Sequence, residues 1–232
     1  MKLSSAETLT QDYFLDFSSS FSKSDFIKFS TTIKSLWLSD STLIFPIGSK
    51  RGKNQLDKHV AMRLNFVTGK TTRILTYPNC YQTCELYNER PLIVPNNNNI
   101  FCLFTYYDEI QKVHKQGALE NSIEIPGSSG ILPYERSKEM NHAYTREHEA
   151  RSEKNINLIH LKSNFYIIIQ KLPQEDVLKP IKYKYIIFSN EDNPISSGIF
   201  NEQIVGELAI PYKEGLLVPN PDLNKAIYYE IK

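Results

Sequence analysis

The sequence predicts a mainly β protein. It reads as a β-rich α+β chain of two tandem, internally duplicated antiparallel β-sandwich-like domains, with a helix or polar linker before each. Three observations predict this. Short apolar and β-branched runs follow one another without a helical segment between them, which favours antiparallel sheet over βαβ units. Leu92-Ile93-Val94-Pro95-Asn96 recurs as Leu216-Leu217-Val218-Pro219-Asn220, at an offset of 124 residues. The 232 residues are 41% hydrophobic and 23% charged, which is ordinary globular composition.

The repeat extends beyond that segment. The same shift lays Leu43-Ile44-Phe45 over Ile167-Ile168-Ile169, and Met62 and Leu64 over Ile186 and Phe188. Tyr106-Tyr107-Asp108-Glu109-Ile110 matches Tyr228-Tyr229-Glu230-Ile231 with a small loop difference. This sets two units, 1–115 and 116–232, the second carrying a polar linker or helix over 127–155.

In the first unit, Phe26, Phe29, Ile33 and Trp37 recur every three to four residues, which predicts a helix from Ser24 to Leu38 with Trp37 on its apolar stripe. Ser41–Ile47 is a β-branched strand. Val60–Val67 and Thr71–Tyr77 form a hairpin across Thr68-Gly69-Lys70. Strands follow at Leu92–Val94 and Ile100–Ile110, separated by an asparagine-rich turn.

In the second unit, Arg136–Lys154 is polar throughout. It is either a solvated helix with a Glu147–Arg151 pair or part of the linker. Strands are expected at Asn157–Leu161, Phe165–Leu172, Ile181–Ser189, Gly198–Ile204, Gly206–Ile210, Leu216–Val218 and Ala226–Ile231, with a turn at Glu191-Asp192-Asn193-Pro194. Neighbours along a strand face opposite ways. One tyrosine of Tyr106/Tyr107 and one of Tyr228/Tyr229 should therefore be buried, leaving the other to pack across strands or meet a partner.

Composition excludes several classes. With 27 Lys+Arg against 26 Asp+Glu, the net charge of +1 excludes nucleic-acid binding by bulk electrostatics. No apolar run approaches the roughly 18 residues of a membrane span. Met1-Lys2-Leu3-Ser4-Ser5 leads into no apolar core, so no secretory signal is read and a cytoplasmic location is expected. Three cysteines do not make a disulfide scaffold. Cys80 and Cys84 lack CxxC spacing, and His142 and His148 miss the i,i+4 spacing of a helical metal pair, so no metal and no cofactor is expected. Gly48-Ser49-Lys50-Arg51-Gly52-Lys53 lacks Walker A spacing and reads as an exposed basic loop.

Two stretches resemble known families. The apolar Leu43–Ile47, a loop, His59 opening a strand, and a hairpin toward Thr76 and Asn79 resemble the front half of the adenain- and Ulp-type cysteine peptidases. That resemblance implies a hydrolase with His59 as base and Cys102 as nucleophile. Neither the family's acid nor its signature around the cysteine is present. Leu161–Phe165, Leu172-Pro173 and Ile181-Lys182-Tyr183-Lys184-Tyr185-Ile186-Ile187-Phe188 are similar to the middle of the starch-binding carbohydrate modules. That resemblance implies a β-sandwich stacking sugar on exposed aromatics, here Tyr183 and Tyr185, since the unit has no tryptophan.

The leading functional reading is a non-enzymatic protein-interaction, assembly or adaptor protein, because no dense cluster of titratable groups stands in the sequence. A carbohydrate- or small-ligand-binding protein, and the His59/Cys102 hydrolase, are the alternatives.

Overall fold

The computed structural model describes residues 25–27, 36–39, 41–49, 59–65, 67–83, 91–96, 99–128, 141–161, 165–176, 178–189, 191–222 and 224–231. They form four antiparallel sheets. The first contains β1 (Asp25–Ile27), β2 (Leu36–Ser39), β3 (Thr42–Ser49), β4 (His59–Asn65) and β5 (Thr71–Thr76). The second runs β6 (Leu92–Asn96), β7 (Asn99–Leu103), β8 (Glu109–His114) and β9 (Leu119–Glu124). The third runs β10 (Lys154–His160), β11 (Tyr166–Lys171), β12 (Tyr183–Phe188) and β13 (Pro194–Ile199), and the fourth β14 (Ile210–Tyr212), β15 (Gly215–Asn220) and β16 (Lys225–Glu230). Short helices, α1 (Asn79–Thr83) and α2 (His142–Arg151), accompany them.

In the second, third and fourth sheets, strands consecutive in sequence pair with one another as up-and-down meanders; in the first, β2 to β5 do so and β1 also pairs with β3. Turn chemistry sets the hairpins. Asn65 Oδ1 accepts from the amides of Val67 and Thr68 ahead of Gly69, whose φ is +68°. That closes the β4–β5 hairpin the sequence predicts. Asp192, at φ 66°, plays the same part between β12 and β13.

The sheets stack face to face. On β7, Ile100 and Cys102, with Phe104 just beyond, pack toward the first sheet against Ile44, Ala61 and Ile74. The intervening Phe101 and Leu103 pack toward the third sheet against Tyr166, Ile168 and Phe188. On β11, Ile167 and Ile169 in turn join Leu216 and Val218 of the fourth sheet. Period-two alternation thus buries both faces of the inner strands β7 and β11, which is why they are continuous apolar runs. The far face of the first sheet is also buried, at Phe45, Ile47, Met62 and Leu64. First strands neighbour one another: β2 touches β6, β6 touches β10, and β10 touches β14.

The mainly β, antiparallel class is as the sequence predicts. The layering differs from two sandwiches, because the middle sheets carry a neighbour on each face. The duplication is not confirmed. The 124-residue shift carries β4 onto β12, third strand onto third strand, yet it lays β6, a first strand, over β15, a second strand. It also lays Ile44, which faces the following sheet, over Ile168, which faces the preceding one. A one-residue slip exchanges faces in this way. Residues 115 and 116, the expected unit boundary, lie in the turn between β8 and β9.

Of the helix expected over 24–38, the described residues 25–27 and 36–38 are in strands β1 and β2, and residues 28–35 lie outside the described residues. Trp37 sits opposite Leu43 in a hairpin turning at Ser39 and Thr42. Apolar residues three and four apart carried the helical reading, but pairing to β3 decides. Ile100–Ile110 splits at Thr105–Asp108, where the Tyr107 amide donates to the Phe104 carbonyl. The strand expected at Gly198–Ile204 runs instead over Pro194–Ile199, with proline tolerated as its first residue. Within 127–155 the polar segment does form a helix. Asn141 caps it by accepting from the amides of Ala143 and Tyr144, and the expected Glu147–Arg151 pair spans 2.7 Å. That helix is not wholly solvated, since His148 and Ala150 are buried.

Candidate interaction surface

The fourth sheet ends the described stack, and its two faces differ. Leu216, Val218 and Tyr229 face the third sheet. The alternate positions face away. Ile210 lies opposite Leu217, which lies opposite Tyr228, and Pro219 lies opposite Ala226. This outward row is apolar and open: Ile210 is 42%, Tyr212 46% and Tyr228 39% exposed. Tyr212 and Tyr228 meet edge to face at 5.9 Å, and Lys213 Nζ lies 5.4 Å from the Tyr212 ring centroid. Gly215 permits the close β15–β16 approach, because a Cβ there would collide with the Tyr229 carbonyl. Sequence reasoning found this surface only in part, through the Tyr228/Tyr229 alternation. Tyr229 is indeed turned inward, its ring against Phe200 and its hydroxyl donating to Glu202 at 2.8 Å.

The sequence candidates lie elsewhere. Cys102 is fully buried between the first two sheets, and burial pushes its thiol well above the ordinary range. A nucleophilic cysteine needs the opposite shift and an open approach. His59 opens β4 in the first sheet, half-buried opposite Thr76. In the native state Cys102 is expected to react with a thiol reagent at least tenfold more slowly than a free thiol at neutral pH, in wild type and His59→Ala alike. Labelling as fast as a free thiol would contradict this. Cys80 is half-buried against the same cluster, and Cys84 lies outside the described residues. So do Lys50, Arg51, Gly52 and Lys53 of the basic loop.

Tyr183 and Tyr185 share a face of β12, and that face points at the fourth sheet rather than outward. Tyr183 is only 5% exposed, and its hydroxyl is 3.4 Å from a Glu207 carboxylate oxygen. Burial first, then Glu207, raises the Tyr183 hydroxyl above its usual range. Tyr185 packs edge to face on Phe200 at 5.3 Å. The exposed tyrosine platform needed for sugar stacking is therefore not formed by this pair.

Polar contacts that lock neighbouring sheets were not legible in the sequence. Asn155, buried at the start of β10, donates from Nδ2 to the carbonyls of Phe104 at 2.9 Å and Tyr107 at 2.7 Å. Its Oδ1 accepts from Gln170 Nε2 at 2.9 Å. Asn157 reaches the carbonyls of Gly206 and Ala209. Lys112 pairs with Asp192 at 2.7 Å across the second and third sheets. Lys154 and Lys171 both reach Glu149, the latter at its carbonyl. Burial, and then Lys154, lower the Lys171 ammonium from its ordinary value. Apart from Lys154 and Glu149, these partners are distant in sequence, so no local motif announces them. Among the described residues no group of three His, Cys, Asp or Glu side chains is placed to hold a metal. No helix there is long and apolar enough to cross a membrane.

No protein-family model matches the chain, and no curated protein matches it. Among solved structures it is similar to a member of the DUF4221 family from Bacteroides vulgatus, with a TM-score of 0.66 and 14% identity over 86% of this chain. The chain spans 62% of that protein's length. This likeness supports the β-rich fold. A β-propeller domain, Cps50 (Swd1) of Myceliophteria thermophila, matches with a TM-score of 0.33 and 9% identity, over 84% of this chain and 67% of that one.

Proposed function

We propose that this chain is a non-enzymatic protein-interaction module that binds its partner through the outward side of the fourth sheet. One observation carries the reading. Aromatic and aliphatic side chains at Ile210, Tyr212 and Tyr228 are held open on a sheet face, while the corresponding faces of the preceding sheets are buried. Contiguous exposed apolar surface on a folded domain marks an interaction site, and tyrosine is enriched at the centres of such sites. The test places a photo-crosslinking amino acid at Tyr228, and a control at the exposed Glu175, in cells producing the protein. A discrete adduct is expected at Tyr228, lost on Ile210→Asp, with none from Glu175. Equal labelling at the two positions, or none at Tyr228, would count against the reading.

A further inference from the structure

Strand β11 ends at Lys171, and sheet register sets this lysine between two other polar side chains. Lys154 of β10 is its partner on one side, and Tyr183 of β12 on the other. Glu149, in the last turn of α2, meets both lysines. Lys171 Nζ donates to the Glu149 carbonyl at 3.3 Å, while Lys154 Nζ stands 3.4 Å from the Glu149 carboxylate. Two ammonium groups thus share one glutamate, and they share it unequally. Lys154 holds the carboxylate and also lies 5.4 Å from the Tyr106 ring centroid. Lys171 is left, among the described residues, with a neutral carbonyl as its hydrogen-bond partner. The nearby Glu207 carboxylate is 3.4 Å from the Tyr183 hydroxyl. Lys112 and Lys179, by contrast, each hold a carboxylate, Asp192 at 2.7 Å and Glu175 at 2.8 Å.

This arrangement favours the uncharged amine at Lys171. A half-buried ammonium beside a second ammonium loses its proton more readily than one in water. Burial acts first in that sense and Lys154 second, with Glu149 and Glu207 opposing them. An uncharged amine keeps two N–H donors and gains a lone pair. One N–H satisfies the Glu149 carbonyl in a solvent-exposed hydrogen bond, which leaves the lone pair open to an electrophile. Among the products open to a lysine, a secondary amide suits the site. It keeps one N–H for the same carbonyl, and it removes the positive charge that burial and Lys154 disfavour. Products that leave a new negative charge would instead meet Glu149 and Glu207.

We infer that Lys171 is an acyl-acceptor site, modified by acyl thioesters. The Nζ lone pair attacks the thioester carbonyl carbon and forms the N–C bond. The C–S bond breaks, its electron pair leaves on sulfur, and the amine proton passes through solvent to that thiolate. The test treats the folded protein with the acetyl thioester of N-acetylcysteamine near neutral pH and follows each lysine by peptide mass spectrometry. Lys171 is expected to be acetylated at least threefold faster than Lys179, although the Lys179 side chain is 61% exposed. Two variants should move the Lys171 rate in opposite directions. Lys154→Met removes the neighbouring ammonium and frees the Glu149 carboxylate for Lys171, so the rate should fall to that of Lys179. Glu149→Gln keeps the backbone carbonyl but removes an opposing charge, so the rate should rise. Glu149 is 54% exposed, so this second variant reads out even if Lys154→Met weakens the fold. Acetylation of Lys171 no faster than Lys179 would overturn the proposal. A Lys171 rate that does not rise in Glu149→Gln would also overturn it, since accessibility alone would then set the labelling.

Discussion

Replacing Asn155 with alanine is expected to lower folding stability by about 3–5 kcal/mol, read as a fall in the urea midpoint at unchanged slope. The reason is the number of groups that depend on one side chain. Asn155 is buried and joins the second sheet to the third, serving the Phe104 and Tyr107 carbonyls and the Gln170 amide. Truncation leaves three buried polar groups without that partner, at about 1–3 kcal/mol each before relaxation. Asn155→Asp is the sharper variant. It keeps the shape but puts a carboxylate oxygen where two carbonyls need a donor, so it should cost at least as much as alanine. If Asn155→Asp were well tolerated, the side chain would be a spacer and not the hydrogen-bonded lock. On the exposed strand β9, Asn121→Ala should stay within about 0.5 kcal/mol.

Phe101→Ala should be comparably damaging, at about 3–5 kcal/mol. Phe101 is fully buried, its ring centroid 4.6 Å from that of Tyr166, which stacks on Phe188 at 5.0 Å. Removing it opens a cavity at the centre of the packing between the second and third sheets, in a core already built of rigid rings. Ile210→Ala, on the outward row of the fourth sheet, removes apolar atoms that are already wet and should cost less than about 1 kcal/mol. The contrast between these two apolar residues distinguishes a covered face from an open one. Comparable losses at both sites would mean the outward face is packed.

Strand content was legible because short β-branched runs and turn residues are local. Thr68-Gly69-Lys70 and Asp192 announce their hairpins by backbone chemistry alone. The stacking was not legible, since Phe101 and Cys102 are neighbours in the chain yet belong to different layers. A strand buried on both faces loses the alternation that would reveal its orientation. The segment around Trp37 failed for a related reason: an apolar spacing compatible with a helix was overridden by pairing with β3. The repeat is not confirmed by the geometry. The 124-residue shift overlays β3 on β11 and β4 on β12, but β6 and β15 share a sequence pattern without sharing a strand position. The interaction surface could be read only as far as Tyr228, because Ile210, Leu217 and Tyr228 become neighbours through sheet register.

Native-state hydrogen exchange, resolved by residue, tests whether the described stack ends in an open face. The covered strands β7 and β11 should exchange only with global unfolding, and β15, paired on both sides, should be strongly protected. Amides of β14, whose Ile210 and Tyr212 side chains are exposed, should exchange at least a hundredfold faster than those of β7. Amides of β14 as slow as those of β7 would show that the outward face is covered, and would contradict the account.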